Sequence, residues 1–231
     1  MKTLIMKTNK YLKLLMLMFT LLGCRDTFLD EEILGVETID SFYTTETGAT
    51  KAVNSLYGQL KNVGNRMAFG DIMSDDAWKG GENNADFQPW YDLLAFNIDP
   101  LNEAVTGMWV DSYNLIYEAN VAIQKIPEIK MDETKRNRLV AEARGLRAFS
   151  YFELVRLFGD VPLIRKPLTP KELAIPRNDK NEVYDFIEKE LLDISNILPE
   201  TYASEDHGRL TKYAAIGLLA KVYLFRKIYR S

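Results

Sequence analysis

The sequence predicts an all-α protein. Three observations carry that expectation. Apolar residues recur three and four apart in five separate stretches, no run alternates apolar and polar residues with period two, and the stretches are bracketed by capping or breaking residues.

The first predicted helix runs from Thr45 to Val63, with Thr45 as cap, Ala49, Ala52, Val53, Leu56, Tyr57 and Leu60 as its apolar stripe, and Gly64-Asn65 as its stop. The second covers Glu103 to Ile126 and ends at Pro127; Trp109, Tyr113, Ile116, Tyr117, Asn120 and Ile123 fall three or four apart. The third covers Asp132 to Phe158, with Asp132 as cap and Gly159 as terminator. From Leu146 onward it is apolar on nearly every side except at Arg147, Glu153 and Arg156, the pattern of a helix buried on more than one face. A Pro-rich connection follows, with Pro162, Pro167, Pro170 and Pro176. The fourth helix, Asp179 to Leu198, aligns Val183, Phe186, Ile187, Leu191, Ile194 and Leu198. The fifth, Thr211 to Ile228, aligns Ala214, Ala215, Leu218, Leu219, Val222 and Phe225. Two pairs of neighbouring helices rich in Tyr, Ala and Leu suggest tetratricopeptide-like hairpins, although the strict 34-residue period of that repeat is absent.

The amino terminus follows other rules. Lys2, Lys7, Lys10 and Lys13 precede an uncharged run, Leu14 to Leu22, as in a signal peptide and too short for a membrane-spanning helix, which needs about 20 apolar residues. Leu21-Leu22-Gly23-Cys24 resembles a bacterial lipobox, whose cysteine receives the lipid and becomes the first mature residue. Several acyl chains on one residue hold durably, because each buried methylene adds about 0.8 kcal/mol. Cys24 is the sole cysteine, which excludes an intramolecular disulfide and a thiolate metal cluster. The acidic stretch from Asp26 to Glu32 reads as a solvated tether and also resembles a surface-export signal. The expected organisation is thus a lipoprotein signal peptide over 1–23, a lipidated tether over 24–44 and a helical domain over 45–231.

Removing residues 1–23 and their four lysines leaves 25 basic against 33 acidic residues, a formal charge of −8. That balance argues against a nucleic-acid partner, whose phosphates call for basic patches. Signatures of catalysis are missing as well: there is no G-x-S-x-G, no H-E-x-x-H and no phosphate-cradling glycine loop, and His207 is the single histidine. Acid pairs abound but carry no specificity for glycoside hydrolysis. Asp71, Asp75, Asp76 and Glu82 are hard oxygen donors without EF-hand spacing, so no metal and no cofactor is expected.

Four segments make the chain recognisable. Glu142 to Leu163, EARGLRAFSYFELVRLFGDVPL, resembles the signature of the RagB/SusD family. Phe42-Tyr43 with Ala52 to Tyr57, Trp109 to Asn120 (W-x3-Y-x2-I-x3-N), and Gly208 to Leu224 (G-R-x-T-x3-A) resemble three further helices of that family. The resemblance implies the amino-terminal part of a SusD-like fold. It implies an outer-membrane lipoprotein facing the cell exterior, which binds nutrient oligosaccharide or polysaccharide and delivers it to a SusC-like TonB-dependent transporter, rather than an enzyme. Many members are about twice this length, so the chain, stopping at Arg230-Ser231, is expected to be the amino-terminal portion of a longer protein, incomplete at its carboxyl end. Two other readings stay open: a truncated helical scaffold without its own ligand site, and a peptide-binding member of the same family.

The signature segment reads as structural, its charges spaced for pairs on or between helices. Ligand contact is expected instead in the loop 71–91, inside the irregular segment 64–102, which is dense in aromatics and longer than an idle loop needs to be. Sugars offer C–H faces for stacking and hydroxyls for amides and carboxylates. Trp78, Trp90 and Tyr91 supply flat faces there, and Asp75, Asp76, Asn83 and Asn84 supply polar groups.

Overall fold

The computed structural model describes residues 39–61, 66, 68–74 and 76–228; the expected signal peptide, Cys24, most of the expected tether and Asp75 lie outside the described residues. Among the described residues the chain is helical, with a single antiparallel bridge between Val161 and Asn178 and no strand. The helices are α1 (Ile39–Phe42), α2 (Glu46–Gln59), α3 (Gln88–Leu94), α4 (Glu103–Lys125), α5 (Glu133–Phe158), α6 (Lys180–Ser195) and α7 (Lys212–Ile228). None is long and apolar enough to cross a membrane.

Five of these are the helices expected from the periodicity, and their starts are chemically marked. The Thr45 hydroxyl accepts from Gly48 N, Asn102 from Ala104 N, Asp132 from Lys135 N and Asp179 from Asn181 N, each satisfying an orphan amide of a first turn. The weak periodicity of 64–102 hides two further pieces, a π-turn at Ala68–Ile72 and the seven-residue α3, entered through Pro89 at its first turn.

Consecutive helices α4, α5, α6 and α7 pack one on the next, so the expected hairpins form a continuous row rather than two separate pairs, with α2 lying across α4 and α5. One core gathers Tyr151, Phe152, Leu154, Tyr184, Ile187, Leu191, Ala215 and Val222; a second gathers Val53, Leu56, Leu115, Ala119, Leu139 and Leu146. Helix α5 contributes to both, which is why its sequence is apolar all round. At Gly145 a Cβ would collide with Leu210 and Ile194, so the small residue there lets the connection after α6 lie directly on α5.

Charges of the signature segment are buried and paired between elements. Arg147, 4% exposed, donates through Nη1 to Asn120 Oδ1 at 2.6 Å and through Nη2 to Glu190 Oε2 at 2.6 Å. Arg144 grips Glu190 and Asp193 at 2.8 and 2.9 Å. The Pro-rich connection is stitched down by side chains: Tyr113 Oη donates to Pro162 O at 2.8 Å, Asn120 Nδ2 to Ile164 O at 3.1 Å, and Tyr151 Oη accepts from Ile164 N at 2.7 Å. Burial, and behind it the neighbouring Tyr151, pushes the Tyr113 hydroxyl up, so both phenols stay protonated as the bonds require.

Candidate functional site

The loop from Asp76 to Phe87 is irregular yet internally braced. Gly80 and Gly81 take positive φ, 75° and 86°, which lets the backbone fold back on itself. Inside the bend Lys79 Nζ donates to the carbonyls of Asn83 at 3.0 Å, Gly80 at 3.2 Å and Asp86 at 2.5 Å. From the far side the Asp86 carboxylate accepts from the amides of Glu82 and Asn83, the latter at 3.2 Å, and Asn83 Oδ1 accepts from Ala85 N at 2.8 Å. The Lys79, Asn83 and Asp86 side chains are thus spent on holding the shape of the turn.

This braced loop is anchored to the body through α3. Phe87, in the left-handed region at φ 49°, sets its ring edge-on to Trp90 with centroids 5.2 Å apart. Trp90 packs beside Leu93, Ala68, Ile72 and Ala104. Asn102 caps α4 and also donates to Pro89 O at 2.9 Å, tying the start of α3 to the start of α4.

The expected ligand residues therefore fall into different settings. Trp78 is 70% exposed and presents its ring to solvent. Asp76, Asn83 and Asn84 are exposed beside it in the chain, although Asn83 is committed to the turn through its carbonyl oxygen and backbone. Trp90 and Tyr91 are half-buried, and Trp90 lines a shallow hollow of about 330 Å³ with Lys79, Gly80, Gly81, Asp86 and Phe87. Its indole Nε1 is buried without a partner among the described residues. Trp78, Asn83 and Asn84 stand outside that lining. The loop's own organisers, Lys79 and Asp86, carried no signal that sequence spacing reveals, since each acts on backbone atoms.

A second cavity, of about 660 Å³, opens between the 68–105 segment and α5, lined chiefly by Phe69, Met73, Ile98, Val105, Trp109 and Phe158. Trp109 meets Phe158 edge-on at 5.1 Å. Among the described residues of that wall, Thr106 and Arg177 bring the non-aromatic polar side chains. A polyhydroxylated ligand would lose water there with little in return, so the cavity suits an apolar occupant better than a sugar. Among the described residues no group of three His, Cys, Asp or Glu is placed to hold a metal ion.

Comparison with known proteins sets this architecture in a family. The family SusD-like_3, described as "Starch-binding associating with outer membrane", matches residues 27–224. The chain belongs to the SusD-like family. Its curated relatives include SusD-like protein P2 of Formosa agariphila, 32% identical over 217 residues, 92% of this chain and 42% of that protein. A SusD-like protein of Bacteroides ovatus is 30% identical over 210 residues, 88% of this chain and 37% of the relative. Among solved structures, a laminarin-binding SusD-like protein superposes with a TM-score of 0.76 at 34% identity, over 80% of this chain and 41% of that one. Surface glycan-binding protein A from Bacteroides thetaiotaomicron, in complex with laminarihexaose, gives 0.68 at 26%, over 80% and 40%. The chain thus spans about two fifths of the length of the relatives it matches. The SusD-like fold expected from the four quoted segments is the fold observed.

Proposed function

We propose that this protein is a cell-surface lipoprotein that captures oligosaccharide and passes it to a SusC-like TonB-dependent transporter. One observation carries the binding half of that reading: the Trp78 indole stands exposed on a loop whose shape is fixed by Lys79 and Asp86. A preset aromatic platform loses little conformational freedom when a ligand stacks on it, which is how rigid sites gain affinity. Asp76 and Asn84 lie in the same loop for hydroxyl contacts. Lipidation at Cys24 would hold the molecule on the outer membrane, with which the family is described as associating, and the capture role calls for it to face outward. The relatives are binding proteins by name, which favours capture over catalysis.

Intrinsic fluorescence tests the reading simply, because the chain has three tryptophans. Addition of maltohexaose or laminarihexaose is expected to shift the emission of the exposed Trp78, and Trp78→Phe to remove that shift. An unchanged spectrum with both sugars, from folded protein, contradicts ligand contact at Trp78.

A second reading, an interaction scaffold, is favoured by the outer face of α7. There Tyr213, Ile216, Tyr223 and Leu224 are 58, 42, 41 and 65% exposed, an apolar stripe suited to a partner surface.

A further inference from the structure

A groove of about 700 Å³ runs along α5 and α6. Its floor is ionic and closed on itself: Arg144 and Arg147 share Glu190, and Arg144 also takes Asp193. Asp185, at one rim, is engaged by Arg226 of α7, and Glu182 accepts from Asn178 Nδ2 at 2.9 Å. Two cations in the lining have no carboxylate among the described residues. Arg165 lies over the Phe186 ring at 5.3 Å and is otherwise exposed, and Lys189, one turn along α6 from Phe186, is exposed. Arg147 reaches the same ring at 5.1 Å, so Phe186 orients guanidinium groups from the floor and from the rim. Glu190 is thus buried and fully engaged, and Asp185 and Asp193 are ion-paired at the rim although 67% and 47% exposed, whereas Arg165 and Lys189 are presented to whatever enters.

We infer that this groove binds an acidic saccharide unit, a sugar bearing a carboxylate or a sulfate, through Arg165 and Lys189. A guanidinium offers a planar fork that matches an oxyanion in two hydrogen bonds, and an ammonium adds a second point charge. Stacking on Phe186 preorders the Arg165 fork and lowers the cost of fixing it. The spare lone pairs of Glu182 accept sugar hydroxyls at the groove's edge. The site is separate from the Trp78 loop and does not depend on it, although a saccharide as the carrier of the anion rests on the glycan-binding reading above.

The test is calorimetry on the 25–231 chain with three probes: tetragalacturonate, a sulfated carrageenan tetraose and maltohexaose, with sodium sulfate as the free-ion reference. Arg165→Gln with Lys189→Gln is expected to weaken at least one acidic probe by about tenfold or more and to leave maltohexaose unchanged, and added salt is expected to weaken the same probe. Lys189→Gln alone should give a smaller loss in the same direction. Carboxylate and sulfate sources are separated by which probe responds. Equal binding of the acidic probes to the wild type and the double variant overturns the inference. So does binding of neither acidic probe, or binding of free sulfate as tight as that of the sulfated tetraose. Trp78→Ala, which should leave the acidic contact in place, keeps a failure here distinct from a failure of the loop.

Discussion

Arg209 Nη1 lies 3.0 Å from Glu142 Oε2, across 67 residues of chain. Glu142 is fully buried in α5, and Arg209 stands in the G-R-x-T segment just before α7, so this pair fastens two of the recognised segments to each other. Around it Tyr57 of α2 donates to the same carboxylate oxygen at 3.0 Å while its hydroxyl accepts from Leu210 N at 2.8 Å. Tyr202 Oη approaches the other oxygen at 3.2 Å, and Arg138 stands 3.6 Å from it. Burial, and after it the Glu142 charge, drives the Tyr57 hydroxyl well above the ordinary phenol range, so Tyr57 remains a donor at every pH the protein meets.

Removing the carboxylate leaves cationic partners facing one another without compensation. Glu142→Ala is expected to cost about 3–5 kcal/mol, the range for breaking a buried pair, and Tyr57→Phe about 1 kcal/mol. Urea melts followed by circular dichroism measure both. A Glu142→Ala loss below the Tyr57→Phe loss would show that the network is not the fastening it resembles.

Gly145→Ala pushes a methyl into Leu210 and Ile194. Overpacking of this kind costs about 1–3 kcal/mol, and thermal melting should register it, whereas Gly217→Ala, where nothing lies within 4 Å, should be neutral or better.

Acid should loosen the connection between α6 and α7. Hydrogen bonds from Arg138 and then Arg209 hold the Asp206 carboxyl below its ordinary 3.8. A depressed carboxyl stabilises the fold fully above its unfolded value and loses that contribution as pH falls through the folded one. Stability is therefore expected to drop from about pH 4 downward, and Asp206→Asn to flatten that part of the profile. Because Asp206 is only half-buried, the effect should be small.

Lys79→Met removes the donor that closes the 79–86 turn. Hydrogen exchange of the Glu82 to Asp86 amides should accelerate while α4 and α5 keep their protection. Unchanged exchange would place the brace elsewhere.

Cys24→Ala should abolish incorporation of labelled palmitate in the native host and release the protein from membranes. Retention of label would contradict lipidation at that residue.

The fold was legible because its information is local. Caps at Thr45 and Asp132 and stripes such as Val183, Ile187, Leu191 and Ile194 act within one helix, and the segment from Glu142 to Leu163 carries a family pattern. What escaped was set by distant or backbone-directed contacts. Helix α3 is too short to show a period. Lys79 and Asp86 bind carbonyls and amides, which leave no mark on side-chain spacing. The groove over Phe186 forms only when Arg165, from an irregular connection, is brought beside α6. Trp78 could be nominated from the sequence, but only its exposure separates it from Trp90, which packs into the body.

The most direct measurement is calorimetric titration of the folded 25–231 chain with maltohexaose and laminarihexaose, beside Trp78→Ala. The account predicts saturable binding of at least one hexaose, weakened in the variant by about 2 kcal/mol, the loss typical of a central aromatic contact. Binding that Trp78→Ala leaves intact, or no binding of either hexaose by a folded protein, would contradict it.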